Sequence, residues 1–261
     1  MACTALSSDM IKAFEGATTV AFDIEGVDLG RTGQISLVQL ASSPTSCFLI
    51  DLLNVNKDVS NPLVDWLKCI LESDKIIKIC HDCRMDADAL RHILGIELRN
   101  VHDTSAWHFE CKRSLDVNLN NVLIANGIKP NVKRDSSVYT HNHAFWATRP
   151  LTSKMIEWAI GDVSSMFELY DRQITAASCT SMMKAKEMSN SYIDGARGYE
   201  VEMVHVKYPG RFIGPSGSSI RALQKSTDTL IYPRGNRGSN MFIVYFNTRA
   251  GLEAVQAKAN A

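Results

Sequence analysis

The order of the apolar segments constrains the fold of this chain more than any other feature. Runs of apolar and β-branched residues predict strands at residues 18–25, 35–41, 47–52 and 76–80. Helical periodicity predicts helices at residues 62–71, 87–94, 118–126 and 153–173. Three strands in succession, followed by alternating helices and strands, predict an α/β fold in which a mixed sheet is flanked by helices.

Two carboxylates lie two residues apart in the first predicted strand. Residues 20–28 read V-A-F-D-I-E-G-V-D, and side chains on a strand alternate between its faces, so Asp23 and Glu25 point to the same side. Like charges so close together raise each other's pKa. The arrangement therefore requires either a solvated strand end or a bound cation, and this segment alone leaves both explanations open.

Two further acids lie on predicted helices. Asp86 lies in the first turns of the helix that follows the strand at residues 76–80. Asp162 lies four residues after Trp158 on one face of a late helix, beside apolar residues. Because an unpaired buried acid is costly, Asp162 requires either a cation or a basic partner.

Composition narrows the class of protein. With 261 residues and 45% hydrophobic residues, the chain is long enough for one large domain or for two smaller ones. We expect a cytoplasmic or nuclear protein without a membrane segment, because no apolar run reaches roughly 18 residues and the N-terminus lacks signal-peptide features. Seven cysteines fit a reducing compartment, and we interpret Cys80 and Cys83 as buried thiols, since no second pair has zinc-finger spacing.

Charge divides the chain unevenly, although the net charge is zero. Residues 199–261 carry 8 basic and 4 acidic side chains, whereas residues 1–198 carry 20 basic and 24 acidic ones. An acidic part that binds metal and a basic part that binds a polyanion would produce this division of charge. A chance distribution of charged residues would also produce it.

Three segments taken together carry a family resemblance. D-I-E at residues 23–25, H-D-C-R-M-D at 81–86 and W-A-I-G-D at 158–162 resemble the three motifs of the DEDD 3′-5′ exonucleases, and the ribonuclease D-like branch is closest. The resemblance spans roughly residues 10–180 and includes Asp51 and Trp146 as lesser features. It implies a ribonuclease H-like fold and two divalent cations, Mg²⁺ or Mn²⁺, held by four acids: Asp23, Glu25, Asp86 and Asp162.

One position departs from the family pattern. Where this branch has a tyrosine that helps to position the attacking water, the chain has Trp158, whose indole offers one donor and no acceptor. His81 and Asp82 are the nearest other groups in sequence that could orient water. Degenerate relatives of this branch act as RNA-binding adaptors, so the resemblance allows two functions: a metal-dependent 3′-5′ exoribonuclease, with Trp158 among its catalytic positions, or an adaptor.

The C-terminal part has a signature of its own. We predict a strand at residues 199–206, two short helical stretches around Gly214–Gly217 (G-P-S-G), strands at 229–232 and 241–246, and a final helix from Arg249. This βααββα order, with Ile213 and Ile220 flanking the glycines, resembles a KH domain. The resemblance implies that the G-x-x-G loop binds the backbone of single-stranded nucleic acid.

The loop also departs from its pattern, because its variable positions are Pro215 and Ser216 rather than basic residues. We expect phosphate contacts from Arg211, Arg221 and Lys225, while protein packing remains an alternative role for the domain. The sequence predicts an exonuclease domain at residues 1–180, a linker at 181–198 and an α+β KH domain at 199–261. We interpret residues 176–198 as a helical tail that runs into this linker. Single-stranded RNA is the expected substrate. DNA is an alternative substrate, because no motif in the chain is known to recognise the 2′-OH. Protein partners in an RNA-processing complex would fit this domain organisation.

Overall fold

The computed structural model describes residues 3–55, 60–112, 114, 118–132, 138, 142–234 and 239–261. The chain divides into two compact units. The first comprises Met1–Arg134 and Trp146–Arg197, and the second comprises Asp135–Phe145 and Gly198–Ala261. Among the described residues, no helix combines the length and the apolar character needed to cross a bilayer.

The first unit alternates strands and helices along the chain. Its elements are α1 (Ser8–Phe14), β1 (Thr19–Val27), β2 (Gln34–Ser43), β3 (Ser46–Asp51), α2 (Pro62–Leu71), β4 (Ile77–Cys80), α3 (Arg84–Leu94), β5 (Val101–Asp103), α4 (Thr104–Lys112), α5 (Leu119–Ala125), α6 (Ser153–Ala176) and α7 (Cys179–Gly198). The four predicted strands and four predicted helices are all present.

The strands of the first unit form one mixed sheet in the order β3-β2-β1-β4-β5. The first three strands pair antiparallel, whereas β4 runs parallel to β1 and β5 runs parallel to β4. The prediction of a mixed sheet flanked by helices is therefore confirmed. Since β1 and β4 are parallel neighbours, the turn that follows β4 lies close to the second half of β1.

The two faces of β1 pack against different helices. Phe22 and Ile24 belong to the larger core, together with buried residues of α2 and α3. On the opposite face, Ala21 packs with Val163 and Met166 of α6. Helix α6 therefore covers the face of β1 to which Asp23 and Glu25 belong.

Residues 181–198, which we expected to form a linker, lie in helix α7 instead, and all of them except Gly198 belong to the first unit. The buried face of this helix consists mainly of small residues: Ala185, Ser189, Ile193 and Ala196. The carbonyl oxygen of Ala196 accepts hydrogen bonds from Arg31 (3.3 Å) and His92 (3.0 Å). Because small side chains add little hydrophobicity, the sequence pattern did not show that this helical segment packs against the first unit.

The second unit has the predicted element order. It contains β6 (Glu200–His205), α8 (Pro209–Ile213), α9 (Ser218–Thr227), β7 (Thr229–Pro233), β8 (Met241–Phe246) and α10 (Arg249–Asn260). The strands form an antiparallel sheet in the order β6-β8-β7. Alternate residues of β8, Phe242, Val244 and Phe246, pack in one core with residues of α8 and α10.

Candidate active site

Three of the four predicted acids meet on the face of β1 that α6 covers. One carboxylate oxygen from each of Asp23, Glu25 and Asp162 lies within 4.8 Å of the others. Asp23 and Glu25 come together because they are alternate residues of β1. Asp162 joins them because its neighbours on α6, Val163 and Met166, pack on the same face of the sheet. All three carboxylates are partly buried.

The fourth acid, Asp86, lies in the first turn of α3 and is only 6% exposed. Burial raises the pKa of Asp86 well above its usual range, and the charges of Asp23 and Glu25 raise it further. The chain thus holds a buried carboxyl group next to two others whose charges oppose its ionisation. A cation between these groups would remove the conflict.

The group that positions α3 was not identified from the sequence. Asp103, at the end of β5, is fully buried and accepts hydrogen bonds from the backbone N–H groups of Asp82 (3.1 Å) and Cys83 (2.8 Å) just before α3. It also accepts bonds from the backbone N–H groups of Ser105 (2.9 Å) and Ala106 (3.2 Å) in α4. One carboxylate therefore fixes the start of both helices, and with it the place of Asp86.

The pKa of Asp103 is lower than usual despite its burial. Desolvation raises this pKa, but the charge of His81 and the hydrogen bonds from Ser105, Cys83 and Asp82 lower it by more. The group is therefore a charged acceptor. The sequence patterns described above did not indicate this role.

Cys80 and Cys83 are unbridged and fully buried, in agreement with their interpretation as buried thiols. Burial raises the pKa of Cys80 well above its usual value. For Cys83, a hydrogen bond with Cys80 lowers the pKa, but burial and the nearby carboxylates raise it to about 12. Both thiols lie close to Asp103, whose oxygens already accept the hydrogen bonds described above.

Trp158, one helical turn before Asp162, is 5% exposed. Its indole is thus packed among other groups at the position where the family resemblance implies a tyrosine. Of the alternative water-orienting groups, His81 shares a hydrogen bond between Nδ1 and Thr104 Oγ1 (2.7 Å). Asp82 pairs with Arg84, and its charge contributes to the raised pKa of Asp86, so it lies near the cluster of acids.

The structure joins two lesser sequence features that are far apart in the chain. Arg149 donates to Asp51 at the end of β3 (Nη2 to Oδ1, 2.7 Å) and to the backbone oxygen of Ser36 (3.0 Å). It also donates to the backbone oxygen of Trp146 (2.8 Å), a buried residue. These contacts tie the segment before α6 to the sheet, and so help to set where α6 begins.

In the second unit, the loop Gly214–Gly217 requires both of its glycines. They have φ values of 73° and 76°, and a Cβ at Gly214 would collide with Ser219. A Cβ at Gly217 would lie 2.7 Å from Nη1 of Arg221, so this guanidinium group lies directly against the loop backbone. Pro215–Gly217 forms a single 3₁₀ turn.

The other two basic candidates lie elsewhere on the second unit. Arg211 donates to the backbone oxygen of Ala261, beyond the end of α10 (3.3 Å). Lys225 is exposed in the last turn of α9. Among these three residues, Arg221 is the one whose contact with the loop is established.

Comparison with known proteins gives a match to a protein family and matches to individual curated proteins. A family described as 3′-5′ exonuclease matches residues 1–173. Mouse piRNA biogenesis protein EXD1 is 36% identical over 80 residues, which are 31% of this chain and 13% of that protein. Ribonuclease D of Nitrobacter hamburgensis is 23% identical over 136 residues, 52% of this chain and 32% of the enzyme. The chain thus spans about a third or less of these curated relatives.

Solved structures agree with the sequence matches. Trypanosoma brucei RNase D is 26% identical, with a TM-score of 0.60 over 72% of this chain and 68% of that one. The same enzyme in complex with RNA U12 matches with a TM-score of 0.58, 26% identity and coverage of 72% and 66%. Since the family match covers well over half of the chain and the fold agrees with it, this protein belongs to the 3′-5′ exonuclease family and is ribonuclease D-like.

Proposed function

We propose that the chain is a metal-dependent 3′-5′ exonuclease that hydrolyses single-stranded RNA. The observation that carries this proposal is the clustering of four acids. Carboxylate oxygens of Asp23, Glu25 and Asp162 lie within 4.8 Å of one another, and the charges of Asp23 and Glu25 raise the pKa of Asp86. A bound cation would offset the repulsion between these acids, which otherwise costs free energy.

The donor set fits hard divalent ions. These four side chains offer carboxylate oxygens, the ligands that Mg²⁺ and Mn²⁺ prefer. When bound, two such ions supply an activated water and stabilise the charge that develops on the leaving 3′ oxygen. The chain's own contribution is to hold the acids in place, from β1 on one side and from α3 and α6 on the others.

RNA as substrate is supported by the relatives. The names of the matched proteins refer to ribonuclease D and to piRNA biogenesis, and RNase D has been seen in complex with RNA. DNA remains the competing substrate, because no contact with a 2′-OH has been identified. A cytoplasmic or nuclear location and protein partners in RNA processing remain predictions from the sequence.

A second function, that of a non-catalytic RNA-binding adaptor, is favoured by one observation. Trp158 is packed where the family resemblance implies a water-positioning tyrosine, and an indole cannot accept a hydrogen bond from water. All four acids are present, however, and for that reason we place the enzyme first.

We further propose that the second unit is a KH domain that holds the substrate. The βααββα order, the β6-β8-β7 sheet and the two positive-φ glycines of the loop support this assignment. With Pro215 and Ser216 at the variable positions, Arg221 is the side chain best placed to meet a phosphate at the loop. Packing against proteins is the alternative role of this unit.

Labelled oligonucleotides test the proposed activity directly. Single-stranded RNA labelled at its 5′ or its 3′ end is incubated with the full chain in Mg²⁺, Mn²⁺ or EDTA, with DNA of the same sequence alongside. In the presence of either ion, we expect the 3′-labelled RNA to lose its label at once as a mononucleotide and the 5′-labelled RNA to shorten progressively. We expect neither change in EDTA. Binding of RNA without cleavage in either ion would favour the adaptor, and preferential cleavage of DNA would correct the substrate.

Replacing both Pro215 and Ser216 by aspartate should weaken the binding of single-stranded RNA about tenfold or more. Two negative charges would then stand where phosphate is expected to pass, and binding to nucleic acid depends strongly on phosphate contacts. Affinity is measured by fluorescence anisotropy in EDTA at a fixed salt concentration. The control variant, A254D/A257D, adds the same charges at exposed positions of α10. Equal affinity of the two variants would assign the second unit to packing or to protein contacts.

A further inference from the structure

Asn131 lies beside Asp162, although it belongs to none of the motifs recognised in the sequence. Its side-chain nitrogen donates to Oγ of Ser165 (3.0 Å) and, at a longer distance, to Oδ1 of Asp162 (3.4 Å). The hydroxyl of Ser165 itself donates to the backbone oxygen of Asp162 (3.2 Å), so its oxygen is left to accept. A carboxylate also only accepts. Position 131 therefore requires a group that donates two N–H bonds, which an asparagine amide provides.

The backbone of Asn131 is held from the other side by helix α5. The backbone N–H of Asn131 donates to Oδ1 of Asn120 (2.8 Å), and the backbone oxygen of Asn131 accepts from Nδ2 of Asn120 (3.2 Å). The loop between them is packed as well, because Ile128 lies in one apolar cluster with residues of α5 and with Leu169 of α6. Asn131 is thus fixed in position before it contacts Asp162.

We propose that Asn131 is a positioning residue that orients the carboxylate of Asp162 for metal binding, with Asn120 as its support. This inference rests on the proposed function, since it assumes that Asp162 binds a metal ion. Hydrogen bonds to a ligating carboxylate fix its orientation, and the loss of such a partner typically weakens metal binding about 10–100-fold.

Metal binding can be measured without any substrate by titrating the full chain with Mn²⁺ and monitoring the bound ion by electron paramagnetic resonance. N131A removes the donor, and N131L removes it while keeping the branched shape of the side chain. We expect both to raise the Kd for Mn²⁺ about 10–100-fold and to change the spectrum of the bound ion. N120A should act in the same direction but less strongly, because the amide of Asn131 is still present. N126A is the matched control, since Asn126 lies directly after α5 in the same loop and its side chain donates to the backbone oxygen of Val122 in α5.

The outcomes separate this proposal from the one on which it rests. If the wild type binds Mn²⁺ and both Asn131 variants match it in Kd and in spectrum, Asn131 has no positioning role. If the wild type binds no Mn²⁺ at all, both the proposed metal-dependent activity and this inference are contradicted. Thermal unfolding in EDTA is measured for every variant, and an affinity loss confined to variants with a lowered Tm would assign Asn131 to stability and overturn the proposal.

Discussion

Replacing Asp23 or Asp162 by asparagine is expected to reduce metal-dependent cleavage about 10³-fold or more. Each substitution removes a carboxylate from the cluster of acids, and bound ions contribute several kcal/mol of transition-state stabilisation. Asparagine keeps the size of the side chain, so the packing of β1 and α6 is disturbed little. Rates are measured with 5′-labelled RNA at saturating Mg²⁺ and again in Mn²⁺.

The cluster also predicts how these variants behave without metal. Because the charges of Asp23 and Glu25 oppose the ionisation of Asp86, D23N should be at least as stable as the wild type in EDTA, as judged by its Tm. D171N is the matched control, since Asp171 is an exposed acid on the same helix as Asp162. Undiminished cleavage by D23N and D162N, or equal cleavage by the wild type in EDTA, would contradict the metal-dependent mechanism.

Substitution of Trp158 by tyrosine should raise kcat, by a factor that can reach roughly 10²–10⁴ if the phenol takes part in proton transfer. The physical reason is that a phenol O–H both donates and accepts, whereas the indole only donates. Since Trp158 is buried, a smaller ring leaves unfilled space, and core substitutions of this kind cost roughly 0.5–3 kcal/mol of stability.

W158F isolates the hydroxyl, because phenylalanine leaves the same space as tyrosine but has no O–H. Higher activity in W158Y and not in W158F would identify the missing hydrogen bond. Inactivity of the wild type and of both variants would mark the chain as an adaptor. Brisk cleavage by the wild type, slowed in both variants, would mean that the indole itself serves the reaction and that another group orients the water. His81 and Asp82 would then be the first residues to test.

Local sequence patterns predicted the elements that carry the acids. The strands and helices with clear periodicity are present, because a period of two or of 3.6 directly reports which face is buried. For the same reason, the alternation of side chains along β1 was enough to place Asp23 and Glu25 on one face. The resemblance to the exonuclease motifs, rather than a local pattern, then implied that Asp86 and Asp162 join them.

The supporting residues were not predictable in this way. Strand β5 has three residues, too few to show a period, and helix α7 conceals its buried face behind alanine and serine. Asp103 acts on backbone N–H groups about twenty residues earlier, and Asn131 acts on an acid 31 residues later. Such contacts depend on the folded path of the chain, and no local spacing records them.

The hydrogen bonds of Asp103 have a consequence for mutational studies of this protein. Its carboxylate joins the starts of α3 and α4, and its backbone N–H donates to Ser189 of α7 (3.2 Å), so three helices share one anchor. A screen of random variants scored by nuclease activity alone would therefore recover position 103 together with the four acids. Only a parallel screen for folded protein would show that position 103 belongs to the scaffold of the fold rather than to its chemistry.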